Sequence, residues 1–472
     1  MNKLNQKVEE EISSMKKSKL SLVLTTVISL AILASACSGQ TNTNQSTALS
    51  TTLSTALSST SASQTETPAT EAEKPVTIVY ESWSPTKATM DEIVAAFNKV
   101  YPNITVEVKL HANFSEFLTA LKTEVAASNC PDVFQFDSPT SLAQLNYQME
   151  PLDEIMVKEY GDGWKDLFLS GPLSDMTMDG KLMGIPFNAT PAGVIWYNKT
   201  MFDKYGIQEP KTYSDLKAAA EILAANNLSG MFIGNKDSWC TIDQFQMILN
   251  EMAPGKQYDA FAGKIKFTDP EIITAFDTWK KFFDDKVFQN DSFSMTQYMD
   301  AYNSFIKDQK GAMWSNGTWS LDIYSNKDLK SIVDGIEWGV MAMPDLNNDG
   351  KLAPLLSTVG GTSISKDSEH KDAAMKLIDF MTFGEGQNIM VNTFLGTPPL
   401  VKTVSPTIQL TANAKQNYDA IATLIQNQGT APRGISNPKV ADKLYEVLTK
   451  VAYGEMTSQA AAEEVQKVID AK

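Results

Sequence analysis

The sequence reads VTIVY at residues 76–80, ITVEV at 104–108 and PDVFQF at 131–136, and these three stretches decide the fold. Each is rich in β-branched or aromatic residues, as strands are. Helical patterns of apolar residues lie between them, at 90–101 and 114–127. Because alternating strands and helices are typical of a parallel sheet with covering helices, the sequence predicts an α/β fold.

Two polar or aromatic residues stand where these strands end. In such sheets ligands bind at the carboxyl ends of the strands. Trp83 follows the first strand and Asp137 ends the third. We therefore expect Trp83 to offer a stacking surface and Asp137 to accept a hydrogen bond from a ligand hydroxyl. The structural alternatives are half-buried packing for Trp83 and helix capping for Asp137.

The composition excludes several classes of protein. Of the 472 residues 43% are hydrophobic and 20% charged, which is typical of a globular protein and not of a disordered chain, a fibre or a multi-span membrane protein. The net charge of -16 argues against nucleic-acid binding. Two histidines, His111 and His370, leave little material for a zinc site or a histidine-based triad, and we expect both to be solvated.

Residues 1–36 are predicted to be a secretory signal. A basic patch at 15–19 and an apolar run at 20–36 end in small residues directly before Cys37. This arrangement resembles the lipobox of bacterial lipoproteins, in which the cysteine is acylated, although Ala34 stands where that motif usually has Leu. The alternative is a single membrane-spanning anchor. Met15 is the expected translation start.

Residues 37–75 are predicted to be a disordered tether. This segment is rich in Ser, Thr, Gln, Asn and Ala and has almost no large apolar side chains. It cannot bury enough apolar surface to offset the entropy lost on ordering. An acylated Cys37 would therefore attach the folded part to the outer surface of the cell membrane through this flexible tether.

Five motifs follow one another through the folded part. They are GKLMGIPF at 180–187, WYNK at 196–199, TYSDL at 212–216, GAMWSNGTWS at 311–320 and GGTSISKDSEHKDAAMKLIDFM at 360–381. Together with the lipobox-like start and the tether, their order and spacing resemble the bacterial extracellular solute-binding proteins of family 1, the sugar-binding type that serves ABC importers. The resemblance covers about residues 75 to 472.

The resemblance implies a two-lobe, type II periplasmic-binding-protein fold that closes over its ligand like a clamshell around a hinge. By analogy the N-terminal lobe comprises 75–188 plus 360–397, and the C-terminal lobe 189–359 plus 398–472. It also implies a monomer that hands a small molecule to the transmembrane permease subunits of an ABC transporter. No cofactor, metal ion or catalytic residue is expected.

Several further residues are candidates for a sugar site, which needs aromatic platforms beside carboxylates, amides or arginine. Trp239 lies in a polar stretch, and Trp319 follows a turn where members of the family often place a stacking ring. Tyr197 falls near the expected hinge, Gly361 offers a backbone N–H there, and Arg433 lies in a loop. Packing, a plain bend or solvation are the respective alternatives.

Two other features are predicted to be structural. Residues Asp345 to Gly350 match the first half of a calcium loop, but position twelve is Leu356 instead of Glu, so a turn explains them better. Cys130 and Cys240 are expected to be separate thiols, since the lobe assignment puts them on opposite lobes.

The favoured function is capture of an extracellular carbohydrate by a binding protein that is not an enzyme. A binding protein for another solute, such as a polyol phosphate or a peptide, remains open, although few arginines are available for an anion. A secreted glycoside hydrolase with a carboxylate pair is a less favoured alternative, as is a surface adhesin.

Overall fold

A computed structural model of the chain describes residues 74–471 except 138, 189–192, 356–358, 397–399, 401–405 and 429–434. The predicted signal, the tether up to residue 73, Cys37 and Arg433 lie outside the described residues. Both sheets described below belong to one unit, Glu71–Lys472.

The first sheet has five strands in the order β2-β1-β3-β11-β6. The first three strands are parallel, and β11 runs antiparallel to both of its neighbours. These strands are β1 Val76–Ser82, β2 Ile104–Leu110, β3 Val133–Phe136, β6 Ile185–Asn188 and β11 Val359–Ile364. The predicted strands at 76–80, 104–108 and 131–136 are confirmed.

The second sheet has four strands in the order β10-β7-β9-β8, in which only β8 and β9 are parallel. Its strands are β7 Val194–Asn198, β8 Ser229–Phe232, β9 Gly311–Asn316 and β10 Trp338–Ala342. A small hairpin of β4 Thr177–Met178 and β5 Lys181–Leu182 stands apart. We call the first sheet with its helices the first lobe, and the second sheet with its helices the second lobe.

The described α-helices cover the faces of the sheets. In the first half of the chain they are α1 Lys87–Val100, α2 Phe114–Ala126, α3 Pro139–Leu145, α4 Asp153–Tyr160, α5 Ser170–Asp175, α6 Lys199–Tyr205, α7 Tyr213–Ala225 and α8 Ser238–Met252. In the second half they are α9 Lys256–Phe261, α10 Pro270–Asp284, α11 Lys330–Val333, α12 Lys371–Thr382, α13 Glu385–Phe394, α14 Ala412–Gln428, α15 Pro438–Ala452 and α16 Ser458–Asp470.

Short helices of other types connect these elements. The 3₁₀ segments are Asn146–Gln148, Trp164–Leu167, Ser292–Ser294 and Thr318–Tyr324, and two π-helical segments are Gln297–Ala301 and Asn303–Lys307. In the described part of the chain, no helix combines the length and the apolar character that crossing a membrane requires.

Each lobe has its own hydrophobic core. The core of the first lobe includes Ile78 of β1, Phe97 of α1 and Leu377 of α12. In the second lobe one cluster packs α8, α10 and α15 around Trp279, whose indole N–H donates to the Leu448 carbonyl at 3.0 Å. Another cluster lies against the buried Trp314.

The chain passes between the two sheets more than once. It leaves the first sheet after β6 to enter the second at β7, and it returns from β10 to β11. After α13 it goes back to the second lobe, where α15 packs on α8, α10 and α16. The lobe boundaries predicted near residues 188, 360 and 397 stay a prediction.

Two details differ from the sequence-based expectation. The TYSDL motif predicts a helix capped by Ser214, whereas the side-chain cap of α7 is Thr212, because Thr212 and Asp215 form a reciprocal capping box. The sequence also predicts one helix over 438–471, whereas the structure has two, α15 and α16. Gly454 turns the chain at a φ of 72°, and Thr457 caps the second helix.

Candidate ligand-binding site

A cavity of about 270 Å³ lies between the carboxyl end of the first sheet and the loops of the second lobe. Its volume is close to the lower end of the range for small-molecule sites, roughly 300–1,000 Å³. The first lobe lines it with Trp83, Ser84, Pro85, Thr86, Ala112, Asn113, Phe114, Ser115, Gln135, Asp137, Gly360 and Phe394. The second lobe lines it with Asp237, Trp239, Tyr298, Trp319 and Asp322.

The first-lobe wall is built around Trp83, which directly follows β1. Its ring packs edge-on against Phe114 at 4.9 Å between centroids, and it also contacts Phe117 at 5.1 Å. Phe114 and Phe117 lie on the first turn of α2, whose N-terminus is capped by the Asn113 side chain. The wall is therefore fixed where a strand ends and a capped helix begins.

Two polar side chains of the first sheet also line this wall. Gln135 is only 1% exposed, and its Oε1 accepts a hydrogen bond from Ser82 Oγ at 2.7 Å. The Gln135 side chain also lies within hydrogen-bonding reach of Tyr80, so it is held within the sheet edge that forms this wall. Asp137 Oδ1 accepts from Ser141 Oγ at 2.7 Å, which fixes its carboxylate beside α3.

A group of charged residues lies behind this wall. Glu81 of β1 is fully buried, and its Oε1 is 2.8 Å from His111 Nε2. Lys109 Nζ bonds Glu124 Oε1 at 2.9 Å and lies 3.8 Å from Glu81 Oε2. Burial, together with the hydrogen bond to and the charge of Glu124, raises the pKa of Glu81 to about 8, so these two carboxyl groups share a proton near neutral pH.

The position of His111 corrects an expectation. The sequence favoured a solvated histidine, whereas His111 is half-buried and held by Glu81. Its ring also contacts Phe117 edge-on, at 5.9 Å between centroids. His111 directly precedes Ala112 and Asn113, which line the cavity. The contact between His111 and Glu81 therefore helps to fix the position of this part of the wall.

The second-lobe wall is a cluster of three aromatic rings. Trp239 stacks on Tyr298 with 5.9 Å between centroids and an interplanar angle of 21°. Trp319 meets Trp239 edge-on at 6.3 Å. Trp239 lies in the first turn of α8, Tyr298 in a π-helical segment and Trp319 in a 3₁₀ segment. Three short irregular or terminal pieces of chain thus bring these rings together.

A buried amide holds two of these pieces in place. Gln297 Oε1 accepts from Gly234 N at 2.7 Å, and Gln297 Nε2 donates to the Ser315 carbonyl at 2.7 Å. The Gln297 backbone N–H donates to Asp237 Oδ2 at 2.8 Å. Burial raises the pKa of Asp237 above its ordinary value, and this hydrogen bond offsets part of that increase. Gln297 therefore links Tyr298 to the loop that carries Asp237 and Trp239.

Asp322 is the second carboxylate on this wall. Residues i and i+3 of a 3₁₀ helix lie on the same side, so Asp322 and Trp319 share one face of the segment Thr318–Tyr324. Burial raises the pKa of Asp322 to about 7. A ligand that donates a hydrogen bond to the Asp322 carboxylate stabilises its ionised form.

Two glycines allow close approaches at the cavity. A Cβ on Gly317 would overlap the Trp319 ring, which packs directly on this residue. Gly360 has a φ of 74°, and a Cβ there would lie 2.7 Å from the Phe136 carbonyl oxygen. Side chains at these positions would displace Trp319 or open the sheet next to the cavity.

A family model for bacterial extracellular solute-binding proteins matches residues 81–388, about two thirds of the chain. The chain belongs to this family. The matched range contains every described lining residue of the cavity except Phe394, as well as all strands from β2 to β11. This confirms the family that the sequence motifs indicated.

Sequence relatives of this solute-binding protein are components of ABC transporters. It is 25% identical over 398 residues to an uncharacterized ABC transporter extracellular-binding protein of Pyrococcus horikoshii, covering 81% of this chain and 80% of the relative. It is 24% identical over 312 residues to the sn-glycerol-3-phosphate-binding periplasmic protein UgpB of Escherichia coli, covering 62% and 66%.

Solved structures share the two-lobe fold. A protein from a study of xylan utilization by Caldanaerobius polysaccharolyticus superposes with a TM-score of 0.72 at 22% identity, covering 83% of this chain and 100% of the other. A chitin oligosaccharide binding protein gives 0.69 at 21%, covering 84% and 98%. Maltose-bound MalE3 of T. maritima gives 0.68 at 23%, covering 84% and 99%. The predicted two-lobe α/β fold is confirmed.

The structure places four of the predicted site residues of this solute-binding protein at the cavity. Trp83 and Asp137 lie on the first-lobe wall, and Trp239 and Trp319 on the second. Their contact with a ligand stays a prediction, as does that of Arg433, which lies outside the described residues.

Two other predicted site residues lie elsewhere. Tyr197 is buried in the second lobe, where its ring stacks on Phe202 and its hydroxyl donates to Glu209 Oε2 at 3.0 Å. Gly361 lies inside the first sheet, where a Cβ would meet Phe136 and Met176. It is the preceding residue, Gly360, that lines the cavity. Neither Tyr197 nor Gly361 is among the described residues that line this cavity, and their contact with a ligand stays a prediction.

Sequence reasoning missed several lining residues of this solute-binding protein. They include Phe114, Gln135, Asp237, Tyr298 and Asp322. Asp237 lies in the same polar stretch as Trp239, and Asp322 lies three residues after Trp319. Both could therefore have been predicted as neighbours of a candidate stacking ring. Tyr298 had no such signal, because a π-helical segment has no recognisable sequence pattern.

Among the described residues, no three or more His, Cys, Asp or Glu side chains form a group able to hold a metal ion. In the Asp345 loop, the Asp345 carboxylate accepts hydrogen bonds from the backbone of Asn347, Asn348 and Gly350, as a turn requires. Cys130 and Cys240 are free thiols, as expected.

Proposed function

We propose that this ABC-type substrate-binding protein captures a neutral carbohydrate between its two lobes. The observation that carries the proposal is the pair of aromatic walls, Trp83 with Phe114 on one lobe and Trp239 with Trp319 on the other, lining one cavity. Sugar rings present flat C–H faces that stack on such rings. A cavity with aromatic surfaces on both sides is suited to a pyranose.

The polar groups of the cavity support the same ligand. The described carboxylates are those of Asp137, Asp237 and Asp322, and Gln135 adds an amide. Carboxylates accept hydrogen bonds from sugar hydroxyls, and an amide can both donate to and accept from them. Burial makes each such bond specific, because an unsatisfied polar group in the closed cavity costs about 1–3 kcal/mol.

The same groups argue against a phosphate ester as ligand. Phosphate sites depend on arginine, lysine or clustered backbone N–H groups. None of the described side chains that line the cavity is Lys, Arg or His, and three are Asp. A neutral sugar is therefore the ligand that the charge of these residues favours over a phosphate ester.

Capture follows from the two-lobe geometry. A ligand that contacts Trp83 and Trp319 at once binds only when the lobes are close, so it shifts the population towards the closed form. The closed form is then the one presented to the permease of the ABC importer. This mechanism requires no covalent chemistry, and the protein acts as a binder and not as an enzyme.

A thermal-shift screen tests the proposal. A panel of neutral mono- and oligosaccharides is compared with sn-glycerol 3-phosphate and with small peptides. A ligand at 100 times its dissociation constant adds about 2.7 kcal/mol to the free energy of unfolding. We expect a neutral sugar to stabilise the protein and to be recovered unchanged. Stabilisation by glycerol phosphate alone, or turnover of the sugar, would contradict the proposal.

Single substitutions on each wall test the site. We expect Trp83→Ala and Trp319→Ala each to weaken sugar binding about 30-fold, since truncating a buried aromatic anchor costs about 2 kcal/mol. The matched control is Tyr147→Ala, because Tyr147 is 55% exposed and does not line the cavity. Isothermal titration calorimetry measures all three. Equal affinities for the Trp83 variant and the control would remove that residue from the site.

We also propose that acylated Cys37 anchors the monomeric protein to the outer face of the cell membrane. The lipobox-like residues and the polar tether support this proposal. Cys37→Ser should release the protein from the membrane fraction into the medium, as measured by immunoblotting of cell fractions. Retention of this variant in the membrane would favour a spanning anchor, and size-exclusion chromatography with light scattering tests the monomer.

A further inference from the structure

A second cavity, of about 340 Å³, continues from the ligand-binding cavity. The two cavities share Phe114, Ser115, Asp137 and Trp239 as lining residues. The second cavity lies between α2 and α3 of the first lobe and α8 and α15 of the second. Because both lobes contribute to each cavity, closure of the lobes encloses both at once.

The lining of the second cavity mixes polar and apolar side chains. Hydroxyl groups come from Ser115, Ser141 and Ser238, and an amide from Gln144, whose Oε1 accepts from Lys122 Nζ at 2.6 Å. Aliphatic surface comes from Leu118, Ile242, Ile435, Pro438 and Ala441, and the aromatic rings of Phe114 and Trp239 stand where the two cavities meet. This lining suits a sugar, which has hydroxyl groups at its edge and C–H groups on its faces.

The two cavities have different positions relative to the sheets. The first reaches Gly360 on β11 and Phe394 at the end of α13, close to the passages of chain that join the lobes. The second is bounded by exposed side chains such as Lys122 and Asp442, so it lies on the solvent side. A linear ligand whose end occupies the first cavity would continue outward through the second.

We infer that the second cavity is a further subsite and that the ligand is an oligosaccharide whose rings occupy both cavities. This inference rests on the proposed function. A monosaccharide is accommodated by the first cavity alone and would leave the polar groups of the second in contact with water. An oligosaccharide replaces that water and adds contacts with Gln144 and its neighbours.

The length of the sugar is the variable that tests the inference. Three series of one to four units serve as probes: glucose to maltotetraose, xylose to xylotetraose, and N-acetylglucosamine to its tetramer. In at least one series we expect the trisaccharide to bind at least about tenfold more tightly than the monosaccharide, as measured by titration calorimetry. Equal affinity for all lengths would overturn the inference and leave the proposed function intact.

A blocking substitution locates the added contacts. Ser238 is exposed and lines only the second of the two cavities, so Ser238→Trp fills that cavity from the surface. We expect this variant to bind the trisaccharide no better than the monosaccharide, while its affinity for the monosaccharide is unchanged. The matched control is Ser331→Trp, at an exposed position on α11 that lines neither cavity.

The outcomes separate the two proposals. If Ser238→Trp weakens binding of every length equally, or leaves the gain with length in place, the second cavity is not a subsite although the protein still binds sugars. If no sugar of any series binds to the unmodified protein, the proposed function and the inference that rests on it both fail.

Discussion

The two walls of the cavity are supported in different ways. Behind Trp83, the first-lobe wall rests on buried charged groups, in which Glu81 contacts His111 and shares a proton with Glu124. Behind Tyr298 and Trp239, the second-lobe wall rests on a neutral amide, Gln297, that bonds the backbone. The support behind the first wall therefore titrates, whereas the Gln297 support behind the second wall does not. On the second wall the groups with raised pKa values, Asp237 and Asp322, line the cavity itself.

This difference separates two roles in the molecule. Neutral hydrogen bonds between an amide and the backbone keep the same strength over the whole physiological pH range. Buried carboxyl groups change their stability contribution as soon as pH approaches their shifted pKa. The comparison predicts that substitutions behind the two walls differ in size and in pH dependence.

The largest effect is expected from Gln297→Ala. This substitution leaves the Gly234 N–H and the Ser315 carbonyl without their partner, and each unsatisfied buried group costs about 1–3 kcal/mol. We expect the free energy of unfolding to fall by about 3 kcal/mol at every pH between 5 and 8, as measured by urea denaturation. The control is Gln459→Ala, on the exposed face of α16. If Gln297→Ala lowers the free energy of unfolding no more than this control does, the account of Gln297 is wrong.

A smaller effect, dependent on pH, is expected from Glu81→Gln. A glutamine resembles the protonated Glu81 that burial favours. The pKa of Glu81 is raised from 4.5 to about 8, so the stability it gives is complete below pH 4.5 and is lost as pH rises through 8. The variant should be close to the wild type in free energy of unfolding near pH 5 and become progressively more stable than it as pH rises towards 8.

Urea denaturation at a series of pH values measures this difference. The control is Glu116→Gln, an exposed position on α2. A constant difference between the Glu81 variant and the wild type across the series would mean that Glu81 does not titrate in this range, and the contrast between the walls would fail.

The smallest effect concerns the one carboxylate of the second wall with a shifted pKa near neutrality. Burial raises the pKa of Asp322 to about 7, and a ligand that donates a hydrogen bond to it favours the ionised form. Sugar affinity should therefore rise about fivefold from pH 6 to pH 8, and Asp322→Asn should abolish this rise. Asp328→Asn, at an exposed position, is the control. An affinity that decreases as pH rises would contradict this prediction and would mean that protonated Asp322 donates a hydrogen bond to the sugar.

Much of the fold was predictable because its first strands and helices follow strong periodic patterns. The three strands up to Phe136 each combine β-branched residues with clear boundaries, and the structure has all three. The division of the C-terminal helix at Gly454 was missed, because apolar periodicity on both sides of the glycine continues the same pattern. The break occurs at Gly454, whose positive φ turns the chain so that α16 packs back on α15.

The site was predictable only where an aromatic residue followed a strand or a turn. Trp83 and Trp319 are of this kind, and both line the cavity. Tyr197 was predicted from its place near the expected hinge. Its strand lies inside the second sheet and its ring is buried, so it is not among the described lining residues of this cavity. His111 was misjudged because its partner Glu81 is distant in sequence and meets it only through strand pairing.

The strand order of the first sheet has a consequence for how the protein is made. β11 is inserted between β3 and β6, although it is synthesised only after every strand of the second sheet. A nascent chain that has emerged as far as β6 cannot yet complete its first sheet, because the strand that separates those neighbours is missing. Such a chain stays unfinished until most of it has been translated, a condition that favours export in an unfolded state.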